Sequence, residues 1–152
     1  MLTKLLPDQI STFWPIIKYA VEESLPPVVG EHPDKMNRLL SAILSGRLEV
    51  WASYARSEEA VKFEAILVTQ ILYDDASNTK NLLLYCVYGY TVITSSSWFE
   101  GFKAVSKYAK SLGCSKIIAY TANENVVELA KKFNADTSFT FISIPVNESV
   151  LE

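Results

Sequence analysis

Apolar residues recur every three to four positions in two stretches near the amino terminus, a spacing typical of amphipathic helices. The first stretch begins at Pro7, a residue that favours a helix start. Its apolar positions are Ile10, Phe13, Trp14, Ile17, Val21 and Leu25. Pro15 interrupts this stretch, so we expect the helix to kink or divide there, with Thr12 as the candidate cap. The second stretch starts at Pro33, which suits a first helical position, and ends at Gly46.

Three stretches in the middle of the chain are rich in β-branched and aromatic residues, which favours strands. They cover 48–54, 63–73 and 81–90. The third is apolar almost throughout 82–88 instead of alternating, as expected of a strand that is covered on both faces.

The carboxyl-terminal part alternates between helical and strand patterns. The motif Ser97-x-x-Glu100 is a capping box, which predicts a helix start, and Gly113 suits the end of that helix. After it we expect a short strand, a short helix with an asparagine cap and a final strand, namely 116–120, a helix capped by Asn123, and 137–146. This order predicts one α/β domain over 1–152, with a mixed sheet and helices on both faces.

Composition narrows the class of protein. The chain has 152 residues, of which 49% are hydrophobic and 20% charged, as in ordinary globular domains. A net charge of −3 gives no basic surface for nucleic acid, and no apolar run is long enough to span a membrane. The two cysteines favour free thiols in a reducing, cytoplasmic setting. With one histidine and no zinc-ligand spacing, we expect no metal site.

Two segments resemble the GNAT superfamily of acyl-CoA-dependent N-acyltransferases. Residues 108–118, Tyr-Ala-Lys-Ser-Leu-Gly-Cys-Ser-Lys-Ile-Ile, are similar to the family's helix end, glycine turn and next strand. From Asn123, Asn-x-x-Val-x-x-Leu-Ala-x-Lys-Phe-Asn-Ala is similar to Asn-x-x-Ala-x-x-Leu-Tyr-x-Lys-x-Gly-Phe. The resemblance covers about 48–146. It implies a mostly antiparallel central sheet in which two parallel strands, 81–90 and 116–120, splay apart.

The resemblance also implies where a cofactor would bind. In that family acyl-CoA lies between the splayed strands, where strand backbone holds the pantetheine arm. The pyrophosphate lies on a helix start, whose free N–H groups and partial positive charge favour anions. The corresponding cofactor-binding residues here are Cys86, Val87, Tyr88, Ser95, Ser96, Ser97 and Asn123. If the chain is an enzyme, acetyl-CoA is the implied cofactor.

The chain departs from the family pattern at two chemical positions. The family's Gln/Arg-x-x-Gly-x-Gly/Ala segment falls on serines here, and Trp98 stands at its last glycine. Either Thr94 and these serines form a remodelled anion site, or Ser97 caps the helix and Trp98 packs in the core. The capping box favours the second interpretation. Ala130 stands where the family often has a tyrosine general acid, and alanine cannot donate a proton.

Two further residues are candidates for catalysis. His32 lies in the connection that the family places near the acceptor, where Glu31 or Asp34 could tune a general base. Glu64 is a carboxylate on an otherwise apolar strand and could accept a proton from an amine. The structural alternatives are an exposed loop histidine and the outward face of a half-exposed strand.

Two functions from different classes remain open. In the first, the chain is a non-catalytic binding or structural module with a protein partner, located in the cytoplasm or in a virion. It resembles the GNAT-like domains that occur in bacteriophage-encoded proteins, including virion components. In the second, it is an N-acyltransferase with an atypical pyrophosphate loop that acts on a small-molecule amine. Because two chemical landmarks of the family are missing, we expect the first; the sequence does not specify the oligomeric state.

Overall fold

The computed structural model describes residues 1–147 as alternating helices and strands. In chain order these are β1 Leu2–Lys4, α1 Pro7–Glu23, α2 Lys35–Leu44, β2 Glu49–Arg56, β3 Val61–Asp74, β4 Thr79–Gly89, α3 Ser95–Ser111, β5 Lys116–Ala119 and α4 Glu124–Lys131. Residues 148–152 of the expected domain lie outside the described part. Each strand predicted between 48 and 120 is present, with ends that differ by a few residues.

The strands form one sheet in the order β1-β2-β3-β4-β5. Neighbouring strands are antiparallel except β4 and β5, which run parallel. The expected mixed, mostly antiparallel sheet is therefore confirmed. Strand β1, which pairs Leu2 with Ser53 and Lys4 with Trp51, was not predicted. Its three residues are too few to show an alternating pattern.

Helices cover both faces of the sheet, as expected. Successive residues of β2 lie in different hydrophobic cores, since Val50 and Ala52 pack in the core on one face of the sheet and Trp51 in the core on the other. The first layer is formed with α1 and α2, and its buried helical residues are Ile10, Ile17, Ala20, Val21 and Ile43. The second is formed with α3 through Val105 and Ala109. The sheet is thus a central partition between two cores.

The predicted division of the first helix is wrong. Helix α1 is continuous through Pro15, and Thr12 donates its hydroxyl hydrogen bond to the Asp8 carbonyl at 2.9 Å instead of capping a second helix. Pro15 and Ser11 are on the exposed side, so water can reach the Ser11 carbonyl that the missing N–H of Pro15 leaves without an intrahelical partner.

The predicted start of the second helix is also displaced. Pro33 lies in a turn, and α2 begins at Lys35. Its end agrees with the prediction, because Gly46 has a φ of +83°, the left-handed conformation that closes a helix at least cost in glycine.

The predicted final strand over 137–146 is absent. These residues belong to no helix or strand, and none of their backbone groups bonds to the backbone of another described residue. The alternation that suggested a strand changes phase in the middle, since Phe139 and Phe141 have one parity and Ile142 and Ile144 the other. The apolar side chains therefore cannot all lie on one face of a single regular strand.

Candidate functional site

The two parallel strands separate at a defined point. Their pairing runs from Asn81 with Lys116 to Leu84 with Ala119. Beyond Leu84, β4 continues to Gly89 without β5 beside it, but it remains paired with β3. Tyr85 is a β-bulge, because Leu84 pairs with Thr69 and the next paired residue is Cys86, opposite Val68. Bulges bend a strand and increase its twist. The expected splay is confirmed, and we call the space beside 85–89 the strand cleft.

Backbone groups, more than side chains, face the strand cleft. The edge of β4 from 85 to 89 makes no ladder bonds to β5. Its side chains point instead to the two cores: Cys86 and Tyr88 pack on the α1 side and Val87 on the α3 side. A row of unpaired N–H and C=O groups can bind an extended amide chain by strand-like hydrogen bonds. The assignment of Cys86, Val87 and Tyr88 to the pantetheine arm stays a prediction.

The thiol of Cys86 is not suited to nucleophilic chemistry. Its residue is 2% exposed, and burial raises the pKa of the thiol from 9.0 to about 12, with a smaller opposing effect of the Ser24 hydroxyl. The thiolate is the reactive form of cysteine, so the side chain stays inert near neutral pH. Cys86 acts here as part of the α1-side core.

The start of α3 borders the strand cleft but is capped differently from the prediction. The helix begins at Ser95, and the cap is Thr94, which has an extended backbone (φ −67°, ψ 154°). Its Oγ1 accepts the Ser97 N–H at 3.2 Å, donates to the Ser97 hydroxyl at 3.0 Å and lies 3.1 Å from the Ser96 hydroxyl. The Ser97 capping box with Glu100 is therefore wrong, and Ser97 lies within the first turn.

Neither arrangement proposed for the α3 start is found in full. The hydroxyls of Thr94, Ser96 and Ser97 bond to one another instead of pointing together at an external anion. Trp98 is half-buried and belongs to neither core cluster, so it is not the core residue that the second interpretation required. The first basic residue of α3, Lys103, lies over the Phe99 ring, 5.4 Å from its centroid.

Helix α4 follows β5 and packs toward α3. Asn123 caps it as predicted, since its Oδ1 accepts the Asn125 N–H at 2.9 Å. After the helix, Phe133 stacks on Phe102 of α3 with ring centroids 4.1 Å apart. Asn134 adopts a left-handed conformation with a φ of +63°. The Asn123 amide is engaged in the cap, and its assignment to a cofactor stays a prediction.

The two predicted catalytic residues are not joined to the strand cleft by any hydrogen bond or ion pair within 1–147. His32 is exposed between α1 and α2, beside a shallow depression of about 350 Å³. Its Nδ1 accepts the Asp34 N–H at 3.0 Å, whereas Glu31 pairs with Lys35 at 3.2 Å instead of with the imidazole. Glu64 is half-buried at a bulge of β3, and its carbonyl accepts the Tyr90 N–H. Both catalytic roles remain predictions.

A tyrosine cluster beside the end of β4 was only partly predicted. Tyr88 contacts Tyr90 and Tyr19 edge to face, with centroids 5.0 and 5.8 Å apart. The Tyr90 hydroxyl donates to the Ile16 carbonyl at 2.8 Å, and burial raises the pKa of that phenol to about 12. Tyr19 could not be found from the pattern because it lies outside the apolar face of α1. The cluster fixes α1 against the strand that lines the cleft.

A polar cluster on the opposite face holds α3 in place, and no sequence pattern predicted it. The Glu49 carboxylate accepts hydrogen bonds from Tyr108 and, at 3.5 Å, from the fully buried Thr69 hydroxyl. It also pairs with Lys4 of β1 at 2.7 Å. Trp51 donates its indole N–H to Thr69 at 3.1 Å. The cluster thus joins β1, β2, β3 and α3, whose first turn borders the cleft.

The described part of the chain contains few other candidate sites. Residues 1–147 include no group of three or more histidine, cysteine or acidic residues placed to hold a metal ion. No helix in that range is long and apolar enough to cross a membrane. Both Cys86 and Cys114 are free.

Comparison with known proteins identifies the fold. No protein-family model and no curated protein sequence matches the chain. Among solved structures, an aminoglycoside acetyltransferase from an uncultured soil metagenomic sample, in complex with sisomicin, matches with a TM-score of 0.68 and 14% identity, covering 97% of this chain and 96% of that one. A ribosomal-protein-alanine N-acetyltransferase from Brucella melitensis matches with a TM-score of 0.66 and 11% identity, covering 96% of this chain and 99% of that one. Glucosamine-6-phosphate N-acetyltransferase from Arabidopsis thaliana matches with a TM-score of 0.62 and 16% identity, covering 95% of this chain and 97% of that one. Such identities show the fold alone: this chain has the GNAT acetyltransferase fold.

Proposed function

We propose that this chain is a non-catalytic binding or structural module that keeps the GNAT fold and has lost acyl-CoA chemistry. The observation that carries the proposal is the first turn of α3. Its hydroxyls are bonded to one another around Thr94, and the cap already satisfies the Ser97 N–H. A helix start that is completed by its own side chains has less need of a bound anion.

The residues of the cleft fit one end of acyl-CoA and not the other. The unpaired edge of β4 at 85–89 suits the amides of a pantetheine arm. At the α3 start, by contrast, no glycine allows the backbone to approach a pyrophosphate, and Trp98 adds bulk at the end of the first turn. Glu100 adds a negative charge to the same helix end. Because most of the affinity for a nucleotide depends on its phosphates, we infer that acyl-CoA binds weakly or not at all.

Two residues of the cleft that could have supplied a proton to a leaving thiolate do not do so. Ala130 carries no ionisable group, and the Cys86 thiol is buried in the core. We therefore derive no catalytic step. A module of this kind would act through a protein partner, and a bacteriophage origin is part of this proposal.

Isothermal titration calorimetry with acetyl-CoA tests the proposal. We expect no saturable heat at about 1 mM cofactor, which corresponds to a binding free energy weaker than about −4 kcal/mol. Micromolar binding would contradict the proposal if Ser96→Glu abolishes it. Asn37→Glu is the matched control, because it places the same charge on an exposed position of α2, away from the cleft.

The splay of β4 and β5 favours a second candidate, an N-acyltransferase that acts on a small-molecule amine. The strand cleft is retained although the α3 start is not, and the similar solved structures include acetyltransferases for an aminoglycoside and for a sugar phosphate. Release of free CoA from acetyl-CoA with a panel of amines distinguishes the two candidates. The Tyr90 N–H bonds to the Glu64 carbonyl of β3, so by alternation along the strand the Val87 N–H points to the other side, toward the cleft. Turnover that disappears in a Val87→Pro variant would support the enzyme and refute the non-catalytic module.

A further inference from the structure

The edge of β4 that faces the strand cleft carries unpaired backbone groups. Because hydrogen-bond direction alternates along an antiparallel strand, the N–H and C=O groups of Val87 and Gly89 point away from β3 and into the cleft. Within 1–147 no backbone hydrogen bond joins either residue to β5 or to a loop. An edge of this kind is a template on which another extended chain can pair.

The open edge is long enough for a short extended segment. Pairing with β5 ends at Leu84, whereas β4 continues to Gly89. At about 3.3 Å per residue, 85–89 provides roughly 16 Å of edge, which matches about five residues of an extended chain. The cleft-facing groups of Val87 and Gly89 are two residues apart, which is the spacing at which a strand presents its own N–H and C=O groups. The edge therefore fits a peptide backbone.

The strands of the cleft and the helix starts that follow them carry no positive charge. Residues 81–102 contain Glu100 and neither lysine nor arginine, and 117–130 contain Glu124 and Glu128 and no basic residue. Since β4 and β5 are parallel, the chain leaves both strands at the same end of the sheet. Glu128 pairs with a lysine of α4, whereas Glu100 and Glu124 form no ion pair within 1–147. This charge disfavours a polyanion and favours a cationic ligand.

Apolar side chains are exposed in the segments that leave the same end of the sheet. Val92 of the β4–α3 loop is 99% exposed, Phe99 near the start of α3 48%, and Tyr120 directly after β5 38%. Side chains of a strand alternate between the two faces of a sheet, as Val87 and Tyr88 do here. A strand added to β4 would place its own side chains on the same two faces. Apolar residues at its centre therefore suit both faces.

We propose that the strand cleft binds an extended segment of a partner protein, which adds to the β4 edge as a strand and has an apolar centre and basic ends. The inference rests on the proposed non-catalytic function and names the class of partner for the same cleft. Backbone hydrogen bonds to Val87 and Gly89 provide the affinity, as in other domains that bind a peptide by strand addition. Glu100 and Glu124 select a basic segment by charge. This binding needs no anion site at the α3 start.

Fluorescence polarisation of a labelled peptide with the full chain tests the proposal. The basic probe is Lys-Thr-Val-Thr-Val-Thr-Lys, capped at both ends, and the acidic probe has glutamate in place of both lysines. We expect the basic probe to bind with a Kd of about 100 μM or less and the acidic probe at least about tenfold more weakly. N-methylation of two adjacent central amides removes a donor from whichever edge of the peptide faces β4. It should weaken binding at least about tenfold.

Charge reversal on the protein distinguishes binding in the cleft from binding elsewhere. Glu100→Lys/Glu124→Lys should reverse the order of the two probes, a result that structural damage cannot produce. Asp8→Lys/Asp75→Lys is the matched control, because it makes the same charge change at exposed positions in the first turn of α1 and in the β3–β4 turn. It should leave the order of the probes unchanged. In NMR spectra, the amide signals of Val87 and Gly89 should shift as the basic probe is added.

The outcomes separate this proposal from the proposed function. Absence of saturable binding of the basic probe at about 1 mM would overturn the strand addition, as would binding that N-methylation or charge reversal leaves unchanged. Shifts confined to amides outside the cleft would overturn it as well. Calorimetry with acetyl-CoA is the independent measurement. A chain that binds neither acetyl-CoA nor the probe retains the non-catalytic function and refutes only the peptide, whereas micromolar acetyl-CoA binding that displaces the probe contradicts the non-catalytic function.

Discussion

Removal of the Tyr108 hydroxyl should destabilise the protein more than removal of an equally placed neutral hydrogen bond. Tyr108 donates to Glu49, whose side chain is only 10% exposed and also pairs with Lys4. The variant Tyr108→Phe keeps the ring, which packs edge to face on Trp51 with centroids 5.0 Å apart. It deletes one donor to a charged acceptor and changes little else.

The expected magnitude follows from the charge of the acceptor. Hydrogen bonds to charged groups contribute about 1.5–3 kcal/mol to the free energy of unfolding, whereas neutral ones contribute about 0.5–1.5. Since Lys4 still neutralises Glu49 in the variant, we expect a loss of about 2 kcal/mol. For a domain of this size that corresponds to a fall in Tm of roughly 4–8 °C.

Urea denaturation of Tyr108→Phe, Tyr90→Phe and Glu49→Gln, with the double variant Tyr108→Phe/Glu49→Gln, measures the effect and its cause. Tyr90→Phe is the control, because its hydroxyl donates to a neutral carbonyl of Ile16. The double-mutant cycle should give a coupling energy of about 1 kcal/mol or more between Tyr108 and Glu49. If Tyr108→Phe costs no more than Tyr90→Phe, or if the coupling is near zero, the polar cluster does not anchor α3 as we infer.

Three further predictions concern single groups. Because burial raises the pKa of the Cys86 thiol from 9.0 to about 12, the folded state retains a proton that the unfolded state loses; this stabilisation is complete below pH 9 and is lost as the pH rises towards 12. The free energy of unfolding, measured in urea, should therefore be lower at pH 10 than at pH 8, and this difference should be smaller in Cys86→Ala. An equal difference in the two proteins would contradict the prediction. A thiol reagent should label Cys114 in the native chain and Cys86 only after unfolding, which mass spectrometry of the labelled peptides checks. Thr94→Ala should cost about 1 kcal/mol and Ser97→Ala clearly less, and the reverse order in denaturant titrations would restore Ser97 as the cap.

An element was predicted correctly where its own residues specify it, and was missed where it depends on residues distant along the chain. Strands β2, β3 and β4 were predicted because long apolar runs bounded by turn residues leave few alternatives. The left-handed glycine Gly113, which ends α3, was predicted from local conformational preference. Strand β1 was missed because its three residues show no strand pattern of their own and form a strand only by pairing with β2.

The capping error at α3 has a different physical origin. Four consecutive residues from Thr94 to Ser97 can all act as caps, so a local rule cannot choose among them. The choice depends on where the chain leaves β4 and turns. Ile93 packs against Gly89, where an added Cβ would meet its side chain at 3.0 Å, and the extended residue after it is Thr94. The cap therefore lies three residues before the serine that the capping box selects.

Fold and cofactor chemistry can separate in a chain of this fold because different parts of the sequence encode them. The bulge at Tyr85 and the end of the parallel pairing are backbone features, and the apolar pattern of the β strands is enough to specify them. Many sequences satisfy such a pattern, which explains why structures that share 11–16% identity superimpose over nearly the whole chain. Anion binding at the α3 start needs particular residues instead. A chain can therefore lose the latter without penalty to the former, so phosphate binding at the α3 start is the observation that distinguishes the two proposed functions.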